Sequence, residues 1–92
     1  MQPLHGVTIL DLTRLLPGPY CAWLLHSWGA RVIKVEEPTR GDYMRELLPL
    51  WFEHMAAGVE SIGLDLSRPE GRSLFLYLVA RADMVLEGFR PG

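Results

Sequence analysis

The sequence predicts an α/β domain in which helices cover both faces of a parallel sheet of about four strands. Two observations lead to this fold class. Four short apolar segments alternate along the chain with segments whose apolar residues recur at helical spacing. The 92 residues, of which 49% are hydrophobic, are enough for one small core. Because strands that alternate with helices usually pair in parallel, we expect a parallel sheet.

The first strand and helix are expected in the first 29 residues. A strand is predicted from Val7 to Leu12, followed by a loop from Thr13 to Gly18. Pro19 suits the first turn of a helix, and Gly29 is placed to end that helix as a C-cap. Apolar residues between them recur at helical spacing: Cys21, Leu24, Leu25 and Trp28. The segment is therefore predicted to be a helix with one apolar face.

The second strand is predicted from Arg31 to Glu36 and completes a strand–helix–strand unit with a right-handed crossover. Its apolar residues, Val32, Ile33 and Val35, are interspersed with Arg31 and Lys34. This alternation favours a strand at the edge of the sheet or covered on one side only.

The middle of the chain is predicted to be less regular. Residues 37–43 form a loop, with Pro38 and Gly41 as breakers. Residues 44–57 are rich in Leu, Trp and Met, and Pro49 interrupts them, which indicates a short and irregular helical segment. A third strand is expected from Ser61 to Leu66.

The last helix and strand follow directly. Ser67 and Glu70 have the spacing of a capping box, which predicts a helix start with a serine cap. The apolar face of this helix is expected to contain Leu74, Phe75, Leu78, Val79 and Ala82. A fourth strand is predicted from Asp83 to Glu87.

Composition excludes several function classes. The formal net charge is −2 and charges of both signs are mixed along the chain, so the basic face of a nucleic-acid-binding protein is missing. No apolar run approaches the roughly 20 residues of a membrane span, and the first residues lack the features of a signal peptide. Cys21 is the single cysteine, which fits a cytoplasmic protein. His26 and His54 lack metal-ligand spacing to Cys21, so no metal site is expected.

Several blocks of sequence, in a fixed order, carry a family resemblance. They are Leu10-Asp11-Leu12-Thr13, Pro17-Gly18-Pro19-Tyr20-Cys21, Trp28 to Glu36, Gly41-Asp42-Tyr43, Ser61 to Leu66, Pro69-Glu70-Gly71-Arg72 and Ala82 to Gly92. Together they resemble the N-terminal part of family III CoA-transferases, the CaiB/BaiF family, which includes formyl-CoA transferase and α-methylacyl-CoA racemase. The resemblance covers essentially the whole chain.

The resemblance implies a Rossmann-like large domain of which residues 1–92 are a single, truncated N-terminal part. Family members act on CoA thioesters and carboxylates, hold no permanent cofactor, and form interlocked homodimers. Their catalytic aspartate, or the histidine and aspartate of the racemases, lies downstream of the Arg-Pro-Gly motif at residues 90–92. We therefore expect no catalytic residue in this chain, no activity by the chain alone, and a homodimer only if the missing C-terminal part is present.

The resemblance also suggests where CoA would lie. The turn formed by Leu15, Leu16 and Pro17 is expected to contact the adenosine of CoA, unless these leucines only cover the core. The helix that begins near Gly18 would offer N–H groups to an anion. Arg90 is the best candidate for a phosphate contact, because guanidinium recognises phosphate well, with the alternative that it is a solvated loop arginine.

Arg40 and Arg45 are supplementary candidates for a phosphate contact, with the alternative that both are solvated surface charges. Two departures from the family pattern act against CoA. The residues before the third strand, 56–60, have lost the usual basic stretch and end in Glu60, and Glu37 stands where relatives carry an arginine. A small shift of the alignment would allow Arg40 to compensate.

Three functions stay open at this point. The chain could be the CoA-binding portion of a CoA-transferase or racemase, from a split or truncated enzyme. It could instead be a non-catalytic remnant or interaction module that associates through Trp23, Trp51 and Phe52. An unrelated nucleotide-binding domain is the third option, but the first strand-to-helix turn lacks the G-x-G-x-x-G pattern.

Overall fold

The computed structural model describes residues 2–14, 17–39, 41 and 44–88. Within them, strands and helices follow one another in this order: β1 (Thr8–Asp11), α1 (Pro17–Ser27), β2 (Arg31–Glu36), α2 (Met44–Leu47), α3 (Pro49–Met55), β3 (Glu60–Gly63), α4 (Pro69–Val79) and β4 (Met84–Leu86). The strands form one parallel sheet in the order β3-β2-β1-β4. The predicted α/β class, with a parallel sheet of four strands, is confirmed.

The core consists of two apolar layers, one on each face of the sheet. Alternate residues of a strand point to opposite faces, and the two sets pack against different helices. Ile9 and Val32 pack with Ala22 and Leu25 of α1. On the other face, a second cluster joins strand residues to α4: Leu10, Val35, Leu64, Phe75, Leu78 and Val79. Helices therefore lie on both faces, as expected.

The expectation that β2 is an edge or half-covered strand is wrong. β2 lies inside the sheet and pairs with both β1 and β3. Its charged residues misled the prediction, because Lys34 and Glu36 are only 5% and 8% exposed. Each is tolerated in the interior by a partner of opposite charge, Asp11 for Lys34 and Arg45 for Glu36.

Proline divides the middle segment, as predicted. α2 ends at Leu47, and Pro49 is the first residue of α3. Proline suits this position because the first N–H of a helix has no partner within the helix. β3 ends at Gly63, three residues before the predicted end of the third strand, and the Leu64 N–H still donates to the Glu36 carbonyl oxygen at 2.9 Å.

The predicted capping box at Ser67 and Glu70 is wrong. Arg68 occupies the N-cap of α4, and its side chain makes no cap hydrogen bond. Ser67 instead donates its backbone N–H and its hydroxyl to Asp65 Oδ1, which forms a turn before the helix. The predicted apolar face holds for Phe75, Leu78 and Val79, which pack against the second cluster, whereas Ala82 packs there from beyond the end of the helix. Leu74 is 55% exposed, so its assignment to that face is wrong.

None of the helices in the described part of the chain is long and apolar enough to cross a lipid bilayer.

Candidate ligand site at the carboxyl edge of the sheet

The strand order defines where a ligand would bind. From β1 the chain proceeds outward to β2 and β3, and α4 then returns it to the other side of β1, where β4 pairs. In open parallel sheets, ligands bind outside the carboxyl ends of the strands where the order reverses in this way. Here that point lies between the ends of β1 and β4, where the Leu12 N–H donates to the Leu86 carbonyl oxygen at 3.0 Å.

A buried polar cluster lies at the end of β1. Asp11 Oδ1 accepts hydrogen bonds from the backbone N–H of Thr13, at 2.8 Å, and from its hydroxyl. Lys34 Nζ, on the adjacent strand, donates to the Thr13 carbonyl oxygen at 3.2 Å and lies 3.8 Å from Asp11 Oδ2. All three residues are nearly inaccessible to solvent. The end of β1 is therefore held by hydrogen bonds that converge on Thr13.

The start of α1 packs against the same threonine. A Cβ added at Gly18 would overlap the Thr13 side chain, with its hydroxyl oxygen at 2.6 Å. The expected anion site at this helix start is weaker than the sequence suggested. Two of the first four helical residues are Pro17 and Pro19, which have no N–H, so only Gly18 and Tyr20 supply donors there.

The end of β2 carries a second buried charge. Arg45 donates from Nε and Nη2 to the two carboxylate oxygens of Glu36, at 2.8 and 2.7 Å, and Ser61 of β3 also donates to this carboxylate. The Arg45 guanidinium also stacks over the Phe52 ring, 4.5 Å from its centroid. Gly41 has a φ of +76°, and a Cβ there would lie 2.8 Å from Glu36 Oε1. These contacts attach α2 to the sheet and to α3 and leave room for no side chain at Gly41 in the preceding loop.

A groove of about 210 Å³ opens along the ends of β1, β2 and β3. The residues that line it include three acids, Glu36, Glu37 and Asp65, and one base, Arg14. Glu37 Oε1 accepts the Thr39 N–H at 2.9 Å. The hydroxyl and backbone N–H of Ser67 lower the pKa of Asp65, which keeps that carboxyl ionised. An anionic ligand in this groove would therefore need more positive charge than its described lining supplies.

Arg14 is the groove residue that sequence reasoning missed. It directly follows the Leu10-Asp11-Leu12-Thr13 block and is exposed at the carboxyl end of β1. Its position after a predicted buried strand was the signal that could have identified it, since ligand-binding residues of parallel sheets concentrate there.

Of the residues that the sequence predicted to contact CoA, only Pro17 and Arg45 lie in the described part of the chain. Leu15, Leu16, Arg40 and Arg90 lie outside the described residues, and Pro17 is the first residue of α1. Arg45 does not extend into solvent as a free cation, because it is paired with Glu36.

Glu60 is not an uncompensated negative charge. It begins β3, at the amino edge of the sheet, where it accepts two hydrogen bonds from Arg31, at 2.6 and 3.0 Å. Hydrogen bonding to Arg31 lowers the pKa of Glu60. The positive charge of Arg31 therefore offsets the repulsion that Glu60 was expected to exert on the phosphates of CoA.

Three aromatic residues that the sequence suggested as an interaction surface lie partly in the interior and partly at the surface. Trp23, Trp51 and Phe52 are half-buried and line a cavity of about 20 Å³ beside Asp11 and Lys34. No cluster of three or more potential metal ligands occurs in the part of the chain that is described.

Comparison with known proteins identifies the family. The family model described as CoA-transferase family III matches residues 4–92. The succinyl-CoA–D-citramalate CoA-transferase of Chloroflexus aurantiacus is 47% identical over 98 residues, which cover 99% of this chain and 24% of that protein. The formyl-CoA:oxalate CoA-transferase of Afipia carboxidovorans is 40% identical, with 99% and 23% covered.

Solved structures agree with this result. A hypothetical protein of Mycobacterium tuberculosis superposes with a TM-score of 0.92 at 38% identity, covering all of this chain and 27% of that one. A CaiB/BaiF family protein of Brucella suis superposes with a TM-score of 0.85 at 39% identity, covering 96% and 26%. The chain thus spans about a quarter of the length of these relatives. The chain belongs to CoA-transferase family III.

Proposed function

We propose that this chain is the N-terminal, CoA-binding portion of a family III CoA-transferase or a related acyl-CoA racemase. In that role it would contribute to the transfer of CoA between an acyl-CoA and a carboxylic acid. The observation that carries the proposal is the match of residues 4–92 to the family. We further propose that residues 1–92 form one domain, which is inactive alone because the resemblance places the catalytic aspartate downstream.

The names of the relatives indicate which part of the substrate, CoA or the acid, this chain would bind. Their names share CoA and differ in the acid: D-citramalate in one, mesaconate in another and oxalate in a third. A segment that stays 40–47% identical across these three proteins is better suited to the shared moiety than to the variable acid. The reversal of strand order beside β1 supports the same assignment, because nucleotides bind there in related sheets.

Positive charge for the phosphates of CoA would come from Arg14, with Arg40 and Arg90 as further contacts. Arg14 lies at the carboxyl end of β1, in the groove. Guanidinium is suited to this role because its planar N–H groups match phosphate oxygens in pairs. No cofactor would be held permanently, since CoA enters and leaves as a substrate.

We also propose that the chain functions in the cytoplasm, within a homodimer of the longer protein. The single cysteine, Cys21, is free and exposed, which suits a reducing compartment.

A non-catalytic interaction module is the second candidate, and one observation favours it. The connection between α2 and α3 presents three large apolar residues to solvent: Leu47, Leu48 and Leu50 are 65%, 49% and 81% exposed. An apolar surface of this kind commonly marks a contact with another protein surface.

Calorimetric titration of CoA into the purified chain distinguishes the two candidates. The CoA-binding proposal predicts measurable heat at millimolar CoA or below and an upward shift of the unfolding temperature. Arg14→Gln should weaken binding by about tenfold, the loss expected for one charge-assisted hydrogen bond. Arg81→Gln is the matched control, because Arg81 is exposed on the turn after α4, outside the groove, and should leave affinity unchanged.

Two results would count against the proposal. One is the absence of both heat and thermal stabilisation at millimolar CoA, which would favour the interaction module. The other is acyl transfer by the chain alone, measured with an acyl-CoA and a carboxylate acceptor, because the proposal expects no turnover without the downstream aspartate.

A further inference from the structure

The buried pair of Asp11 and Lys34 does more than fill the interior. Both charges are taken out of water, at 2% and 5% exposure, which costs free energy that apolar residues of similar volume would not cost. A buried ion pair is therefore weak evidence for a role in stability. Both side chains have the same hydrogen-bond partner, Thr13.

Thr13 is held through three of its groups. Its backbone N–H and its hydroxyl donate to Asp11, and its carbonyl oxygen accepts from Lys34. The threonine is itself 6% exposed, although it lies outside the sheet ladder at the point where β1 becomes a loop. Loop backbone at such a point is usually solvated and mobile, so this degree of fixation is unusual.

The fixed threonine then determines where α1 begins. Gly18 packs so closely on the Thr13 side chain that no Cβ fits between them. A displacement of Thr13 would therefore displace the first turn of α1 or open a gap. Asp11, Lys34, Thr13 and Gly18 form a continuous chain of contacts from the interior of the sheet to the edge where the strand order reverses.

We propose that Asp11 and Lys34 are positioning residues that fix Thr13, and through Gly18 the first turn of α1, in the geometry required to bind CoA. The inference rests on the proposed function for its ligand. It assigns neither residue a contact with CoA, because both side chains are buried. Their effect on affinity is transmitted through the packing of Gly18 against the Thr13 side chain.

The test is a double variant, Asp11→Leu with Lys34→Met, which removes both charges and keeps apolar volume in the interior. Replacement of an ion pair by apolar residues is often neutral in itself, but three groups of Thr13 lose their partners, so the variant should fold and should unfold at a modestly lower temperature than the wild type. The backbone ¹⁵N order parameters of Thr13 and Gly18 should fall from about 0.85, typical of rigid backbone, to below about 0.6. Those of Ile9 and Val32 should not change, and CoA affinity should fall about tenfold.

The pair Arg31 and Glu60 provides the matched control. It also joins two adjacent strands by an ion pair, but it is exposed and lies at the opposite edge of the sheet. Arg31→Gln with Glu60→Gln should leave the order parameters of Thr13 and Gly18 and the CoA affinity unchanged. If the first double variant fails to fold, Thr13→Val removes only the hydroxyl bond and should lower the Gly18 order parameter in the same direction.

Unchanged order parameters at Thr13 and Gly18 in a folded double variant would overturn the inference, whatever happens to CoA binding. Mobility that increases at both residues while CoA affinity stays at the wild-type value would overturn the link to binding. A wild-type chain that binds no CoA would contradict the proposed function instead. The order parameters would still decide whether the pair fixes the turn.

Discussion

At the scale of single residues, two of the described glycines that support the carboxyl edge of the sheet leave no room for a side chain. A Cβ at Gly18 would meet the Thr13 side chain, and a Cβ at Gly71 would overlap the carbonyl group of Asp65. Both glycines lie in the first turn of a helix, α1 or α4, directly after the loop that leaves a strand. They allow each helix to start close against the preceding loop.

Substitution of Gly18 tests this requirement. Gly18→Ala should lower the free energy of unfolding by about 1–3 kcal/mol, because the added methyl group must push Thr13 away from Asp11 and Lys34. Gly88→Ala is the control, since nothing lies within 4 Å of a Cβ at that position, and its effect should stay within about 0.5 kcal/mol. Urea denaturation followed by circular dichroism measures both. Equal effects of the two substitutions would show that Thr13 can move away from the added methyl group without loss of unfolding free energy.

Residue roles were predictable from the sequence where they depend on local geometry, and not where they depend on a distant partner. Gly29, predicted to end α1, follows it with a φ of +103°. The buried charges of Lys34 and Glu36 could not be foreseen, because their partners lie 23 residues upstream and 9 residues downstream in the sequence. Ser67 has the spacing of a helix cap, yet Asp65 competes for its hydroxyl two residues earlier.

At the scale of elements, β2 carries an arginine–glutamate contact near each of its ends, one that joins it to β3 and one that joins it to α2. Arg31 and Glu60 form the exposed contact at the amino end. At the carboxyl end, Glu36 is buried and bound by Arg45, and Ser61 of β3 donates to the same carboxylate. The chemistry of the two pairs is the same, and their solvent exposure differs.

Neutralising each glutamate should therefore give different results. Glu36→Gln should cost about 1.5–3 kcal/mol of unfolding free energy, because a buried carboxylate loses charge-assisted hydrogen bonds. A loss near the lower end of this range is expected, since the Arg45 side chain is 44% exposed and water can solvate it once Glu36 is neutral. Glu60→Gln should leave the unfolding midpoint nearly unchanged, as is usual for exposed pairs. Chemical denaturation of both variants is the measurement, and a larger loss for Glu60→Gln would contradict this account.

At the scale of the whole molecule, the alternation of apolar strands and helical segments was enough to predict the parallel α/β fold. The order β3-β2-β1-β4 was not predictable from the pattern, because it depends on which side of the sheet α4 covers. The charged residues of β2 argued for the wrong position in that order. The groove could be located only once the order was known, since three strands contribute to it.

The two apolar layers share one sheet, so they should unfold together. Trp23 of α1 and Trp51 of α3 line the cavity on the face of the sheet opposite α4, and Trp28 lies in the turn after α1. Leu64→Ala, in the layer that packs on α4, should lower the free energy of unfolding by about 2–4 kcal/mol through loss of buried apolar volume. Because unfolding is cooperative, tryptophan fluorescence and far-ultraviolet circular dichroism should report the same shift.

Leu76→Ala is the matched control for this measurement. Leu76 lies on α4 and is 63% exposed, so the same change of side chain should alter the free energy of unfolding by no more than about 0.5 kcal/mol. A shift for Leu64→Ala in the circular dichroism transition without a matching shift in fluorescence would show that the two faces unfold separately. Such a result would also mean that the sheet does not couple α4 to the buried cluster around Thr13, which lies between β1 and α1.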